Sequence, residues 1–230
     1  QGCSSCPPAD RLAAKLAQDP SILVITRPVT YWDRLGWKDT LARPANTHLQ
    51  RAYARKGNEG AGVYTPQIVV DGRHGAVGSN ARNVQALAMN AAMVTKPTLE
   101  TTKAADGSVT VAIRGTMRGP SELVLMALSS KETVQIARGE NGGRRISYTN
   151  VLRDETRIGT PSRNATRFRI NPEAMNIANA NRYAIVLRRP NAGPILAGAT
   201  NVLLALLILI VGFWIAGRVG AFVRGIGKRH

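Results

Sequence analysis

A long apolar run near the C-terminal end of the chain most restricts what the protein can form. Residues 191–217 contain no ionisable side chain, and residues 195–217 are mostly Leu, Ile, Val, Ala and Gly. As an α-helix this run would be about 33 Å long, which matches the hydrocarbon thickness of a bilayer. The pattern predicts one C-terminal transmembrane helix that crosses the membrane once.

Two further features of this run concern its surroundings. Gly212, Ala216 and Gly220 recur every four residues, and such a face of small residues favours close packing against a helix of a membrane-protein partner. Four Lys and Arg side chains follow within residues 218–230. Because basic flanks stay in the cytoplasm, the sequence predicts a cytoplasmic tail, with residues 1–190 on the other side of the membrane.

The chain as a whole is basic, but its basic residues are not distributed as in nucleic-acid-binding proteins. It has 31 Lys and Arg against 14 Asp and Glu, a formal net charge of +17. The basic residues occur as single and paired arginines, without the basic runs, interleaved aromatics or motifs of nucleic-acid-binding proteins. Anionic lipid or an acidic protein partner explains this charge better, and nucleic acid is not an expected partner.

The only two cysteines of the sequence lie three residues apart, in QGCSSCPPAD at residues 1–10. The apolar spacing behind them predicts a helix over 8–17, with a proline in its first turn. A helix N-terminus carries partial positive charge, which stabilises a thiolate. Cys3 is therefore the predicted nucleophile toward a substrate disulfide, and Cys6 is the cysteine that resolves the mixed disulfide.

The cysteine pair has two alternative uses besides redox chemistry. A disulfide between Cys3 and Cys6 with a purely structural role stays open as an alternative. A zinc site needs four ligands at defined spacing, whereas His48, His74 and His230 are isolated in the sequence. We therefore expect neither a metal nor another cofactor.

A proline directly before an apolar strand is the second notable feature of this region. Residues 67–70 (QIVV) form a predicted strand that ends in a turn dipeptide. A cis proline at Pro66 would interrupt backbone pairing and leave the groups before it free to hold a peptide beside the cysteines. Thr65 and Pro66 are therefore candidate substrate-binding residues. Tyr31 and Trp32 are further candidates for this groove, with core or lid packing as their alternative.

The order of predicted elements divides the chain into three parts. Residues 1–95 follow the order of an α/β thioredoxin-like domain, residues 96–190 predict a small β-sandwich-like domain, and residues 191–230 hold the transmembrane helix and the basic tail. The elements predicted in the first part, besides those above, are a buried strand at 21–26 and helices at 40–56 and 80–94. Those predicted in the second part are strands at 108–113, 122–128, 133–137, 166–170 and 183–187.

The same stretches resemble a known protein family. QGCSSCPPAD, YWDRLGWKD at 31–39, QRAYAR at 50–55 and VYTPQIVVDGR at 63–73 are similar, in this order, to the DUF1223 family of secreted bacterial thioredoxin-like proteins. GENGGRRISYTNVLR at 139–153 resembles the later β-rich part of that family, so the resemblance extends over residues 1–190. It implies an exported domain with a redox-type cysteine pair. With the predicted helix, it places residues 1–190 in the periplasm and the protein in the bacterial inner membrane.

Two departures from the family pattern concern activity and completeness. Pro28 and Thr30 stand where the family usually has a His and an Asp, so polar groups suited to proton transfer are missing near the dithiol. The strand that precedes the cysteines in this fold is not seen before Gln1, and we expect it to lie upstream or to be supplied in another way.

The sequence therefore supports two functions. The intact C-x-x-C and Thr-Pro favour a membrane-anchored thiol-disulfide oxidoreductase in the periplasm. The missing His and Asp, the basic surface and the small-residue helix face favour a non-catalytic accessory subunit of a larger inner-membrane protein complex. The residues alone do not decide between them.

Overall fold

The helices of the protein begin at residues whose chemistry suits a helix start. The computed structural model describes residues 1–57, 59–190 and 195–200. Prolines occupy the first turns of the first two helices, where a missing N–H costs nothing, and the side chain of Asn80 caps the third by accepting from the Asn83 N–H. The helices are α1 (Pro7–Leu16), α2 (Pro44–Arg55) and α3 (Ala81–Ala92), with 3₁₀ turns at Asp33–Leu35 and Pro172–Met175.

The strands of the described residues form three antiparallel sheets. A two-stranded hairpin joins β1 to β2, a three-stranded sheet has the order β3-β4-β7, and a four-stranded sheet has the order β6-β5-β8-β9. The strands are β1 (Gln67–Val70), β2 (His74–Val77), β3 (Thr98–Lys103), β4 (Val109–Arg114), β5 (Glu122–Gln135), β6 (Arg145–Gly159), β7 (Arg167–Ile170), β8 (Arg182–Arg188) and β9 (Ile195–Thr200).

Strand β5 forms the centre of the core because both of its faces are covered. All seven residues from Leu123 to Ser129 are buried, in place of the alternating pattern of a half-exposed strand. Leu123 and Leu125 pack with apolar residues of β4, β7 and β8 on one face. Met126 and Leu128 pack on the other face, where Leu23 and Ile25 from the N-terminal part of the chain cover them.

The N-terminal part is attached to the edge of the four-stranded sheet. Thr26 forms one parallel bridge with Val151 of β6, in which the Thr26 N–H donates to the Asn150 carbonyl and the Leu152 N–H donates to the Thr26 carbonyl. The Thr26 hydroxyl also donates to the Thr149 carbonyl at 2.6 Å. Residues 21–26 therefore extend along β6 and make a single bridge to it, where the sequence predicts a regular strand.

The predicted fold class is wrong in two respects, of which the first is the thioredoxin-like domain. The described part of residues 1–95 contains only two strands, which pair antiparallel as a hairpin, and its only parallel contact is the bridge at Thr26. Apolar residues of segment 21–26 instead cover the central sheet of the later, β-rich region. The described structure is mainly antiparallel β-sheet with three helices, and the proposed domain boundaries remain predictions.

The second correction concerns the transmembrane helix. Residues 195–200, predicted as its start, form β9, which pairs antiparallel with β8 from Thr200 opposite Ala184 to Ile195 opposite Arg188. No helix among residues 1–57, 59–190 and 195–200 has the length and apolar character needed to cross a bilayer. The rest of the predicted helix, including Gly212, Ala216 and Gly220, lies outside the described residues. The inner-membrane anchor and the localisation derived from it are therefore not supported.

Candidate functional site

Cys3 and Cys6 form a disulfide at the start of α1. Their Cα atoms are 5.4 Å apart, and Cys6 occupies the N-cap position of the helix. The Cys6 carbonyl accepts from the N–H groups of Ala9 and Asp10, at 2.9 and 3.1 Å. Pro7 and Pro8 have no N–H, and the N–H groups of Ala9 and Asp10 are taken by the Cys6 carbonyl, so no free N–H of the first turn is left to donate to a thiolate here. The field of the helix dipole and the Ser5 hydroxyl, 3.4 Å from Cys3 Sγ, remain to stabilise it.

The two cysteines differ in exposure. Cys3 is only 3% exposed, whereas Cys6 is half-buried. An attacking thiolate must reach a sulfur atom, so access favours reaction at Cys6 of the oxidised protein. The sequence-based assignment gave the attacking role to Cys3, and that assignment remains a prediction.

Trp32 links the cysteine loop to the Thr-Pro segment. Its indole N–H donates to the Thr65 hydroxyl at 2.9 Å. On its other side, a Cβ atom placed on Gly2 would come within 2.8 Å of Trp32 Cβ, so only glycine fits beside it. Trp32 thus lies between the residue before Cys3 and the residue before Pro66.

Pro66 lies beside the first turn of α1, and the Thr65-Pro66 bond is cis. The Pro66 carbonyl accepts from the Gly78 N–H at 2.9 Å. A Cβ atom on Gly78 would lie 3.0 Å from Ala9 Cβ and 3.3 Å from Pro66 Cβ, so both side chains pack against this glycine. The structure therefore brings Pro66 close to the helix that follows the disulfide, while Trp32 connects Thr65 to the residue before Cys3.

Tyr31, the remaining candidate for the groove, forms no hydrogen bond of normal geometry to the Thr-Pro segment. Its hydroxyl is buried without a hydrogen bond that meets normal geometry to any described residue, and Gln50 Oε1 is in the same condition. Burial raises the pKa of Tyr31, and the nearby Gln50 and Thr65 side chains oppose that rise. Gln50 also donates to the Tyr64 carbonyl at 2.7 Å, so α2 supports the backbone that leads to Thr65.

The turn between β5 and β6 holds the cysteine loop from the opposite side. Asn141 is 1% exposed, and its amide donates to the carbonyls of Gln1 and Cys3, both at 2.8 Å. The exposed Glu140 carboxylate accepts from the Ser4 N–H at 2.9 Å, and this bond lowers the pKa of Glu140. No short-range pattern indicates these contacts, since they join residues more than 130 positions apart.

Two neighbouring carboxyl groups lie near α1, and of these Asp10 is half-buried and Asp39 is 6% exposed. Burial raises the pKa of Asp10 to about 6, although the Gln1 nitrogen and Arg11 oppose the rise. Asp39 accepts from the Gln1 nitrogen at 2.7 Å and from the Leu41 N–H at 2.8 Å. Burial raises the pKa of Tyr148, and the charges of Asp10 and Asp39 raise it further. The site therefore contains a titratable carboxyl one helical turn from Cys6.

We expect Asn141→Ala to lower the free energy of unfolding by about 2 kcal/mol, because two buried carbonyl oxygens lose their donor. Urea denaturation at neutral pH under oxidising conditions measures this change. Glu140→Gln is the control, since Glu140 contacts the same loop from the exposed surface and its loss should matter less. Equal stability of the two variants would show that Asn141 does not hold the loop.

The described part of the chain is thus a mainly β protein that presents a disulfide at a helix N-terminus. It belongs to the family described as "Protein of unknown function (DUF1223)", whose model matches residues 1–188. A crystal structure of a protein from Agrobacterium tumefaciens is similar, with a TM-score of 0.71 and 25% identity over 86% of this chain and 88% of that chain. No curated protein matches the chain.

Proposed function

We propose that the protein exchanges thiols and disulfides through Cys3 and Cys6. The observation that carries the proposal is the placement of this disulfide at the N-cap of α1, with one half-buried cysteine next to a buried one. A helix N-terminus lowers the free energy of a thiolate, which makes it a better leaving group. Trp32, Thr65 and Pro66 form the adjoining surface, where we place the substrate peptide.

The reaction consists of two successive thiol–disulfide exchange steps, in which electrons are conserved. A substrate thiolate attacks Cys6 Sγ, the bond between Cys3 and Cys6 breaks, and its electron pair leaves on Cys3 as a thiolate. A second substrate thiolate then attacks the substrate sulfur of the mixed disulfide and releases Cys6. Two electrons pass from the substrate dithiol to the protein, and solvent protonates the two cysteines. The reverse sequence reduces a substrate disulfide.

The test is reduction of insulin disulfides by dithiothreitol in the presence of the full chain. We expect the wild-type protein to accelerate the reaction, and the variants Cys3→Ser and Cys6→Ser to stay at the rate of dithiothreitol alone. A wild-type rate equal to that of the two variants would overturn the proposal. That outcome would favour the accessory role, in which the disulfide is structural.

Trapping of mixed disulfides distinguishes the roles of the two cysteines. Because Cys6 is the more accessible residue, Cys3→Ser should accumulate a mixed disulfide with oxidised glutathione faster than Cys6→Ser does. Mass spectrometry after acid quenching measures both rates. Faster trapping in Cys6→Ser would restore Cys3 as the attacking residue.

A further inference from the structure

A groove far along the chain from the disulfide lies between α2 and strands β5, β6 and β8. Its volume is about 720 Å³, which is within the range of small-molecule binding sites. One wall is α2, and the opposite wall includes Leu152, which is only 3% exposed. The groove uses none of the residues assigned to disulfide exchange, so the following inference is independent of that function.

Helix α2 turns an apolar face toward this groove. Ala45, Leu49 and Ala52 line it together with the exposed His48, and their spacing places all four on one side of the helix. The buried residues of α2 are instead polar, namely Asn46, Thr47 and Gln50. An apolar stripe about 10 Å long therefore faces the groove rather than the protein core.

The charges in the groove are mostly paired, and the unpaired ones are positive. Glu155 bridges Arg27 and Arg188 at 2.5 and 2.6 Å, and Arg188 also contacts Glu122 at 2.7 Å. The remaining carboxylate, Asp154, pairs with Arg43 at 3.1 Å. All three carboxylates that line the groove are thus neutralised by arginines.

Arg55 and Lys56 supply the unpaired charge. Both line the groove at the C-terminal end of α2, both are exposed, and neither forms an ion pair with any residue of the described chain. Their two full charges exceed the partial negative charge of the helix end, which is about half an elementary charge. An apolar stripe thus leads to a cationic end.

We propose that this groove binds a single-chain amphiphilic anion, such as a fatty carboxylate. Its apolar chain lies along Ala45, Leu49 and Ala52, and its anionic head contacts Arg55 and Lys56. Charge complementarity selects this occupant over the remainder of this chain, since the ionisable side chains of residues 201–230 are all basic. An anionic head gains electrostatic attraction from these two cations, whereas a neutral head does not, so charge complementarity favours an anion.

Titration calorimetry of the full chain with dodecanoate, below its critical micelle concentration, tests the proposal. We expect saturable binding that weakens about tenfold or more in the variant Arg55→Glu/Lys56→Glu. The matched control is Arg118→Glu/Arg163→Glu, which reverses two exposed arginines outside the groove and should bind normally.

Three results would overturn the proposal. The first is no binding of dodecanoate to the wild-type protein. The second is equal affinity in Arg55→Glu/Lys56→Glu, which would place binding elsewhere, for example at the exposed Met89 of α3 and Met93 directly after it. The third is equal affinity for dodecanol, which would show that the anionic head is not recognised. Insulin reduction by Arg55→Glu/Lys56→Glu should remain that of the wild type.

Discussion

Replacing Leu128 with alanine is expected to lower the free energy of unfolding by about 3–4 kcal/mol. Leu128 is 0% exposed and packs with Met126, Leu152 and Val186 on the face of β5 that the N-terminal part covers. The variant loses the transfer free energy of the removed methyl and methylene groups. It also leaves a cavity, because strands paired on both sides of β5 cannot collapse into the space.

Urea denaturation of the oxidised full chain measures this loss. Met93→Ala is the matched control, because Met93 is 86% exposed and its truncation should change stability by less than about 0.5 kcal/mol. A cost for Leu128→Ala as small as that of the control would show that this face of β5 is not packed as described.

Elements with local signals were predictable from the sequence. Pro44 marks the start of α2 within the predicted helix 40–56, and Asn80 is the cap of the helix predicted at 80–94. Strand β1 has the predicted bounds, residues 67–70. In each case the determining chemistry lies within a few residues: a fixed φ at proline, a capping amide, or a β-branched run between turn residues.

Strand β6 was not predicted, because its sequence contains charged residues whose partners lie in distant segments of the chain. Arg153, Asp154 and Glu155 interrupt its apolar pattern. Glu155 meets Arg27 and Arg188, Asp154 meets Arg43, and Arg153 meets Glu132. These partners come from four separate segments, so no window of the sequence shows that the charges are compensated within the fold.

Residues 195–200 were predicted as the start of a helix, but they form strand β9. Its residues are apolar or small, and such a run is compatible with a buried strand as well as with the start of a helix. The unpaired edge of β8 determines that this stretch is a strand, because β9 forms hydrogen bonds with the backbone groups along that edge. Periodicity alone contains no information about that edge.

Part of the candidate site was predictable from short motifs in the sequence. The spacing of Cys3 and Cys6 and the prolines behind them indicated a disulfide at a helix start, and the structure has it there. Asn141, Asp39 and Tyr148 surround the same loop through contacts made by distant segments. Asp10 is close in sequence, but its burial depends on packing against β6, which the sequence does not reveal.

Asp10→Asn is expected to remove a pH-dependent loss of stability of about 2–3 kcal/mol. The pKa of Asp10 is raised from 3.8 to about 6 by burial, so the folded protein binds this proton more tightly than the unfolded chain does. The contribution of Asp10 is therefore most favourable below pH 4 and is lost as the pH rises through 6. At about 1.4 kcal/mol for each pH unit between the two values, the loss is close to 3 kcal/mol at most.

Urea denaturation of the wild-type protein and Asp10→Asn at pH 4, 5, 6 and 7 measures this difference. We expect the two proteins to differ little at pH 4 and the variant to be the more stable at pH 7, because an amide stays neutral in the buried site. Asp19→Asn is the control with the opposite sign, since hydrogen bonds from Ser21 lower the pKa of the exposed Asp19. A difference between wild type and Asp10→Asn that does not change with pH would mean that Asp10 ionises as freely in the folded protein as in the unfolded chain.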